Sequence, residues 1–299
     1  MRALVISGGG SKGAFAGGIA EYLINDLNID YGIFVGSSTG SLLIPHLATN
    51  KIDKIRKVYT NVSQKDIYST CPFSIKRNKE GEIKARINHF NTLKMFLKGK
   101  KTFGEHKNLR NTIARTISRD DFEELKRSRK KVITVVSNIT RSTVEYKYAK
   151  DCSYNDFLDW MWASCSFVPF MSIVSKNGYE YADGGFGNYI PIEEAIDNGA
   201  TEIDVIVLSP RRRPKTNFIS ANAFDLLLRV FMFMQKQIAY DDVLIGHLES
   251  IYNKNVTVNF IFTPRNLTDY SFYFSPSQMT AWWEEGYQYA KEHYKTNLS

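Results

Sequence analysis

Over its first 50 residues the chain alternates short continuous apolar runs with apolar residues at helical spacing. Ala3 to Ile6 is a β-prone run that stops at Ser7-Gly8-Gly9-Gly10. Phe15, Ile19, Tyr22 and Leu23 follow three to four apart, which predicts a helix. Ile33-Phe34-Val35 predicts a second strand, closed by Gly36-Ser37-Ser38-Thr39-Gly40. Leu42 to Ala48 then predicts an apolar helix, kinked near Pro45. Two strand–glycine turn–helix units in succession predict a three-layer α/β/α fold, with a mainly parallel central sheet and helices on both faces.

Further along, Lys131–Val136, Glu202–Leu208 and the alternating Val256–Phe262 predict strands. Tyr154–Ala163 predicts an aromatic-rich helix, and Ser275-Pro276 opens a last one carrying Trp282 and Trp283. Phe224–Ala239 predicts a long helix. From Phe224 to Met234 nearly every face of it is apolar, which predicts a core element. The other reading is a wall of an acyl pocket or a membrane-touching segment, where Met and Phe suit irregular lipid chains. Residues 51–130 are polar, Lys-rich and irregular, apart from a helix over Arg110–Ile117 and an exposed turn over Lys76–Lys84. They read as a variable, lid-like insertion. No repeat and no Pro/Gly-rich linker divides the 299 residues, so a single domain is expected.

Charge and cysteine content narrow the setting. The formal net charge of +8 suits an anionic partner, a phospholipid surface or nucleic acid, but also suits plain solubility. Cys71, Cys152 and Cys165 form no CxxC pair, which argues against a disulfide framework or zinc site and for a reducing, cytoplasmic setting. The apolar run after Met1 is too short for a signal-peptide core. Leu226–Met234, broken by Arg229, falls short of a membrane span.

Three short segments carry candidate chemistry. Gly36-Ser37-Ser38-Thr39-Gly40 fits Gly-x-Ser-x-Gly, in which a serine occupies a strained strand-to-helix turn and the glycines allow close packing around it. The helix N-terminus that follows favours negative charge near Ser38. Gly8-Gly9-Gly10-Ser11-Lys12-Gly13 admits a dinucleotide turn, an oxyanion hole of backbone N–H groups, or a turn with no further role. Asp30, the acidic residue a dinucleotide site would need, precedes the second strand instead of ending it, so the oxyanion reading is preferred. Asp183-Gly184-Gly185, taken alone, is an ordinary turn.

Together, and in this order, the three blocks resemble the signature of patatin-like phospholipases. Ala163-Ser164-Cys165-Ser166-Phe167-Val168-Pro169 resembles the Ala-Ser-x-x-x-x-Pro segment that precedes the family's aspartate, and Asn188 and Pro191 resemble the residues that trail it. Two departures stand out: Ser7 replaces a common Asp, and residues 51–130 match nothing in the pattern. The resemblance implies a serine acyl hydrolase of phospholipase A type acting on phospholipid or another acyl lipid, with Ser38 as nucleophile and Asp183 as its only side-chain base. Gly8, Gly9, Gly10 and Ser11 would form the oxyanion hole, supported by Lys12, Gly13, Gly36, Gly40, Gly184 and Gly185. It implies no cofactor, no metal and no nucleic-acid partner, with peripheral contact to anionic membrane, which Arg211-Arg212-Arg213 could face. His46, on the helix after Ser38, and His247 are the rival bases; His89, His106, His247 and His293 lie in polar sequence and read as surface residues. Lys12 either draws a lipid phosphate or is a solvated helix-start lysine. Other readings are a lipid transacylase, a catalytically silent lipid binder of the same fold, and a nucleotide-binding oxidoreductase.

Overall fold

The computed structural model describes residues 1–77, 83–212, 219–220 and 222–296. The chain opens with β1 (Arg2–Ile6), α1 (Gly13–Glu21), β2 (Ile33–Ser37) and α2 (Thr39–Ala48). The segment expected to be irregular contains α3 (Ile52–Tyr59), α4 (Gln64–Ile67), β3 (Phe73–Arg77), β4 (Ile83–Ile87), α5 (His89–Leu97), α6 (Lys107–Thr116) and α7 (Arg119–Arg127). Next come β5 (Lys131–Asn138), β6 (Thr143–Tyr148), α8 (Tyr154–Ser164), β7 (Val174–Lys176), β8 (Tyr179–Asp183) and α9 (Ile192–Asp197). The chain closes with β9 (Glu202–Pro210), α10 (Ala223–Tyr252), β10 (Thr257–Thr263) and α11 (Pro276–Thr296). Within the turn expected over Lys76–Lys84, residues 78–82 lie outside the described residues; so does Arg213 of the arginine cluster.

Eight strands form the central sheet in the order β10-β9-β1-β2-β5-β8-β7, with β6 on the other edge of β5. β10, β9, β1, β2 and β5 run parallel, and β6, β7 and β8 are antiparallel additions. The strands of a two-sided sheet are apolar on both faces, which is why β1 reads as an unbroken apolar run. Leu4 and Ile6 enter the larger core with Phe15 of α1, Leu43 of α2, Phe157 of α8 and Trp283 of α11. Ala3 and Val5 enter a smaller core with Ile192 and Ala195 of α9 and Ala239 of α10. A mostly parallel sheet flanked by helices on both faces is thus the architecture, as the alternation of strand and helix signals predicts.

Glycines set the closest helix contact. A Cβ on Gly18 of α1 would lie 2.0 Å from the Trp283 carbonyl oxygen, and one on Gly286 of α11 2.2 Å from that of Phe15. The indole N–H of Trp283 is hydrogen-bonded to Glu21 Oε2. α11 therefore lies tight against α1 and holds the helix that follows the first glycine turn.

The segment Phe224–Met234 departs from the core expectation. Its helix runs on to Tyr252, and only Leu228, Ala239 and Gly246 along it are buried. Leu226, Val230, Phe233 and Met234 are exposed, because the helix covers the edge of both cores instead of lying within one. His106 also differs: it is fully buried, stacked on Trp162, with Nε2 3.1 Å from Ser166 Oγ and Nδ1 accepting from Ser172 N. Burial pushes it down to about 3, so it is neutral. His89, His247 and His293 are exposed, as expected.

Candidate active site

Strand register brings Ser38 and Asp183 together. β2 pairs with the first part of β5, ending at Ser37↔Val135, and β8 takes over at Val136↔Asp183. β6 occupies the opposite edge of β5 over the same residues, so β8 continues the line of β2. The last residue of β8 thus sits beside the turn that ends β2. Gly184 lets the two chains close, since a Cβ there would meet the Val135 carbonyl at 2.4 Å and Ser37 Oγ at 2.9 Å.

Ser38 has φ 51° and ψ −120°, a left-handed-side conformation that a side-chain-bearing residue adopts only under constraint. The constraint is visible. The Ser38 N–H donates to Ser164 Oγ at 2.9 Å, and its carbonyl accepts from Ser41 N and Ser41 Oγ. On either side Gly36 and Gly40 leave no room for a Cβ: one on Gly36 would meet the Gly40 carbonyl carbon at 2.4 Å, and one on Gly40 the Ile6 oxygen at 2.3 Å. Ser38 Oγ donates to Asp183 Oδ2 at 2.8 Å, while Gly185 N donates to Oδ1 at 2.9 Å. Burial raises Asp183 to about 7, against which the Gly185 and Ser38 hydrogen bonds pull down.

The first glycine turn lines the same place. Gly10 has φ +57°, and a Cβ on it would lie 2.2 Å from the Ser271 carbonyl oxygen. Of the four residues expected to point donors at the site, two are otherwise engaged: Gly8 N donates to Tyr189 O at 3.2 Å and Ser11 N to Ser271 O at 2.8 Å. Among the described residues the N–H groups of Gly9 and Gly10 have no acceptor, and both residues line the cavity at Ser38. The N–H groups of Gly8 and Ser11 instead tie the turn to the loops after β8 and before α11. Gly13 fits against Thr39 Oγ1, 2.2 Å from where its Cβ would be, and so locks the two glycine turns together. Lys12 is half-buried rather than solvated; its Nζ donates to the Leu208 carbonyl, and burial lowers it to about 8.

Ser38 and Asp183 open into a cavity whose empty space, open solvent included, is about 1090 Å³. Its walls are overwhelmingly apolar, with Leu42, Ile55, Ile113, Met161, Met232 and Phe272 among them. Ile55, Val58, Ile67, Leu109 and Ile113 come from residues 51–130, so the segment that matched no motif builds much of the wall. His46 also lines the cavity, but its Nδ1 is 3.2 Å from the Leu42 carbonyl, and burial lowers it to about 4. The hydrogen bond of Ser38 goes to Asp183, not to an imidazole. Asp30 is exposed and paired with Lys130 at 3.3 Å, away from the glycine turn it would serve in a dinucleotide site.

Three contributors escaped sequence reasoning. Ser164 fixes the Ser38 backbone; it lies in a quoted motif, though the motif gives no partner. Tyr189 has its ring against the first glycine turn and the Gly184-Gly185 turn, within 2.8 Å of a Cβ on Gly8 and 2.7 Å of one on Gly185. Gln64 pins the loop before α11 through Phe272 O at 3.2 Å and Phe274 N at 3.0 Å. No local signal marks Tyr189 or Gln64.

Among curated proteins none matches the chain. The crystal structure of VipD from Legionella pneumophila shares the fold at a TM-score of 0.52 and 14% sequence identity, covering 97% of this chain and 66% of that one. The chain therefore spans slightly under two thirds of that protein's length. The family model described as patatin-like phospholipase matches residues 4–196, well over half of the chain and all three motif blocks. The chain belongs to the patatin-like phospholipase family.

Proposed function

We propose that the protein is a lipid acyl hydrolase of phospholipase A type, in which Ser38 attacks the ester carbonyl of a phospholipid and Asp183 takes its proton. The observation that carries this reading is the 2.8 Å hydrogen bond from Ser38 Oγ to the buried Asp183 carboxylate, at the mouth of an apolar cavity. An aspartate is ordinarily a weak base, with a pKa of about 3.9. Burial brings Asp183 to about 7, where it is ionised in a substantial fraction and basic enough to accept the hydroxyl proton.

The reaction runs in two halves. As Ser38 Oγ bonds to the carbonyl carbon, its proton moves to Asp183 Oδ2, and the oxygen's charge develops towards the free N–H groups of Gly9 and Gly10. Collapse of the tetrahedral species breaks the ester bond; the lysolipid alkoxide leaves with the proton from Asp183, and the acyl group stays on Ser38. Water then attacks the acyl-enzyme as Asp183 again takes a proton; the acyl–Oγ bond breaks, Ser38 Oγ recovers that proton from Asp183, and the fatty acid departs. The cavity lined by Leu42, Ile113 and Met161 suits the acyl chain. Peripheral contact with anionic membrane belongs to this reading, in the cytoplasm. Among the described residues no helix is long and apolar enough to cross a membrane.

The test is fatty-acid release from phospholipid vesicles. The wild type should release fatty acid, and Ser38→Ala or Asp183→Asn should each reduce turnover at least ~10³-fold. Retained activity in Asp183→Asn would overturn the dyad. Transfer of the acyl group to added alcohol in preference to water would replace hydrolase by transacylase, and a folded wild type with no acyl chemistry would make the chain a lipid binder.

A further inference from the structure

α5 presents its apolar residues to solvent. Only Thr92 and Met95 of this helix are buried, whereas Phe90 and Leu97 are 76% and 80% exposed, and Leu93 and Phe96 more than half exposed. Phe90, Leu93 and Leu97 lie at i, i+3 and i+7 and share one face. Isolated exposed apolar residues are ordinary, but a helix whose outward face is built from Phe and Leu leaves apolar area uncovered in water.

A second exposed apolar row lies on α10, which is tied to α5 from the inside by half-buried aromatic rings. Phe96 lies 6.0 Å from Phe103, ring to ring, and Phe103 lies 5.6 Å from Phe224 in the first turn of α10. On the opposite, outward side of α10 Leu226, Val230, Phe233 and Met234 are exposed. On its inner side the same part of α10 contributes Met232 and Gln235 to the wall of the Ser38 cavity. One helix thickness thus separates this outer face from the cavity.

Around α5 the charge is predominantly positive, with Lys100 and Lys101 paired to Glu105 and Glu180, and with Asp225 in the first turn of α10. From Ile83 to Gly104 the sequence contains no Asp or Glu, but carries Lys84, Arg86, Lys94, Lys98, Lys100 and Lys101. Lys94 and Lys98 are exposed on α5 and, among the described residues, have no ion pair. Lysines flanking an outward Phe/Leu face are what a helix lying in the plane of an anionic bilayer needs: the rings and leucines enter the acyl boundary, and the ammonium groups remain at the headgroups. A protein partner would need a complementary surface of its own, and nothing in the charge pattern calls for one.

We infer that α5 and the first half of α10 form the face by which this protein docks on an anionic lipid bilayer, delivering phospholipid to the adjacent cavity. The inference rests on the proposed lipid acyl hydrolase activity and names the surface that serves it.

Binding and chemistry can be measured apart. In a Ser38→Ala background, which holds lipid without turnover, sedimentation with phosphatidylcholine vesicles is compared with and without phosphatidylglycerol. Phosphatidylglycerol should raise binding. Phe90→Gln/Leu93→Gln/Leu97→Gln should lower it at least ~10-fold, and Lys94→Glu/Lys98→Glu should abolish the phosphatidylglycerol dependence. In the Ser38 protein both sets should leave hydrolysis of a soluble short-chain ester within about twofold of wild type while vesicle hydrolysis falls, since neither set touches the cavity. Vesicle binding unchanged by the triple substitution would overturn the inference. So would light scattering that shows a wild-type dimer dissociated by the same substitutions, which would make the face a contact between copies. Loss of ester hydrolysis in the wild type itself would count against the proposed reaction, and the vesicle-binding result would still decide the docking face.

Discussion

Asp242 of α10 accepts two backbone hydrogen bonds through one oxygen, from Tyr189 N at 2.8 Å and Ile190 N at 2.7 Å. Tyr189 in turn packs against Gly8 and Gly185 and receives the Gly8 N–H on its carbonyl. A carboxylate on a largely exposed helix thereby fixes the loop that holds the Ser38 surroundings in register. Asp242→Ala leaves two amides without acceptor and frees that loop. Steady-state kinetics on a soluble ester should show kcat reduced ~10- to 100-fold with KM little changed, and Asp242→Asn, whose amide oxygen still accepts, should lose less.

Activity should have an acid limb near neutrality. In the proposed reaction Asp183 acts as base only when ionised, and burial raises it to about 7, so kcat/KM should climb as pH rises through that value. The stability effect has the opposite direction. A carboxyl whose folded pKa exceeds its unfolded value binds protons more tightly when folded, so its contribution is full below about pH 4 and is lost as pH rises through about 7. Asp183→Asn should therefore stabilise the protein at pH 8, by on the order of 1–4 kcal/mol, with the gain fading towards pH 4. Thermal melts at both pH values check this.

Two glycines should respond differently to alanine. At Gly10 the added Cβ meets φ +57° and the Ser271 oxygen at 2.2 Å, and the residue offers one of the two free N–H groups. Gly10→Ala should lower kcat ~10²-fold or more, at a stability cost of about 1–3 kcal/mol. At Gly18 the clash is with the Trp283 carbonyl at 2.0 Å, between α1 and α11 and away from the Ser38 cavity. Gly18→Ala should cost about 1–3 kcal/mol in denaturant unfolding while a protein that remains folded keeps its kcat within a few-fold.

His46 should prove dispensable as a base. Burial holds it near 4, so it is neutral throughout the working range, and its Nδ1 faces the Leu42 carbonyl. His46→Gln should leave the acid limb where Asp183 puts it, measured as the pH profile of kcat/KM. A limb displaced by a full unit would assign the titration to His46 instead.

The local sequence of this chain carries the site's chemistry and the elements next to it. The runs Ala3–Ile6 and Ile33–Val35, the glycine turns and the apolar spacing after them are short-range signals, because a strand, a left-handed turn and a helix start are each decided within a few residues. Ser38 and the glycine turn were legible for that reason, as was the parallel sheet. Asp183 was legible only in combination with them, since Asp-Gly-Gly by itself is a turn. What tertiary structure decided is everything set by partners distant in the chain. The handover from β2 to β8 along β5 places Asp183 next to Ser38 across 145 residues. The carbonyls of Tyr189 and Ser271 take the N–H groups of Gly8 and Ser11 and leave those of Gly9 and Gly10 free. His106 is buried and α10 exposed because of what packs opposite each, which neither polarity nor periodicity of a short window reports. Much of the cavity wall comes from a Lys-rich stretch for the same reason: the few apolar side chains of α3 and α6 face inward only once the helices are docked on the sheet.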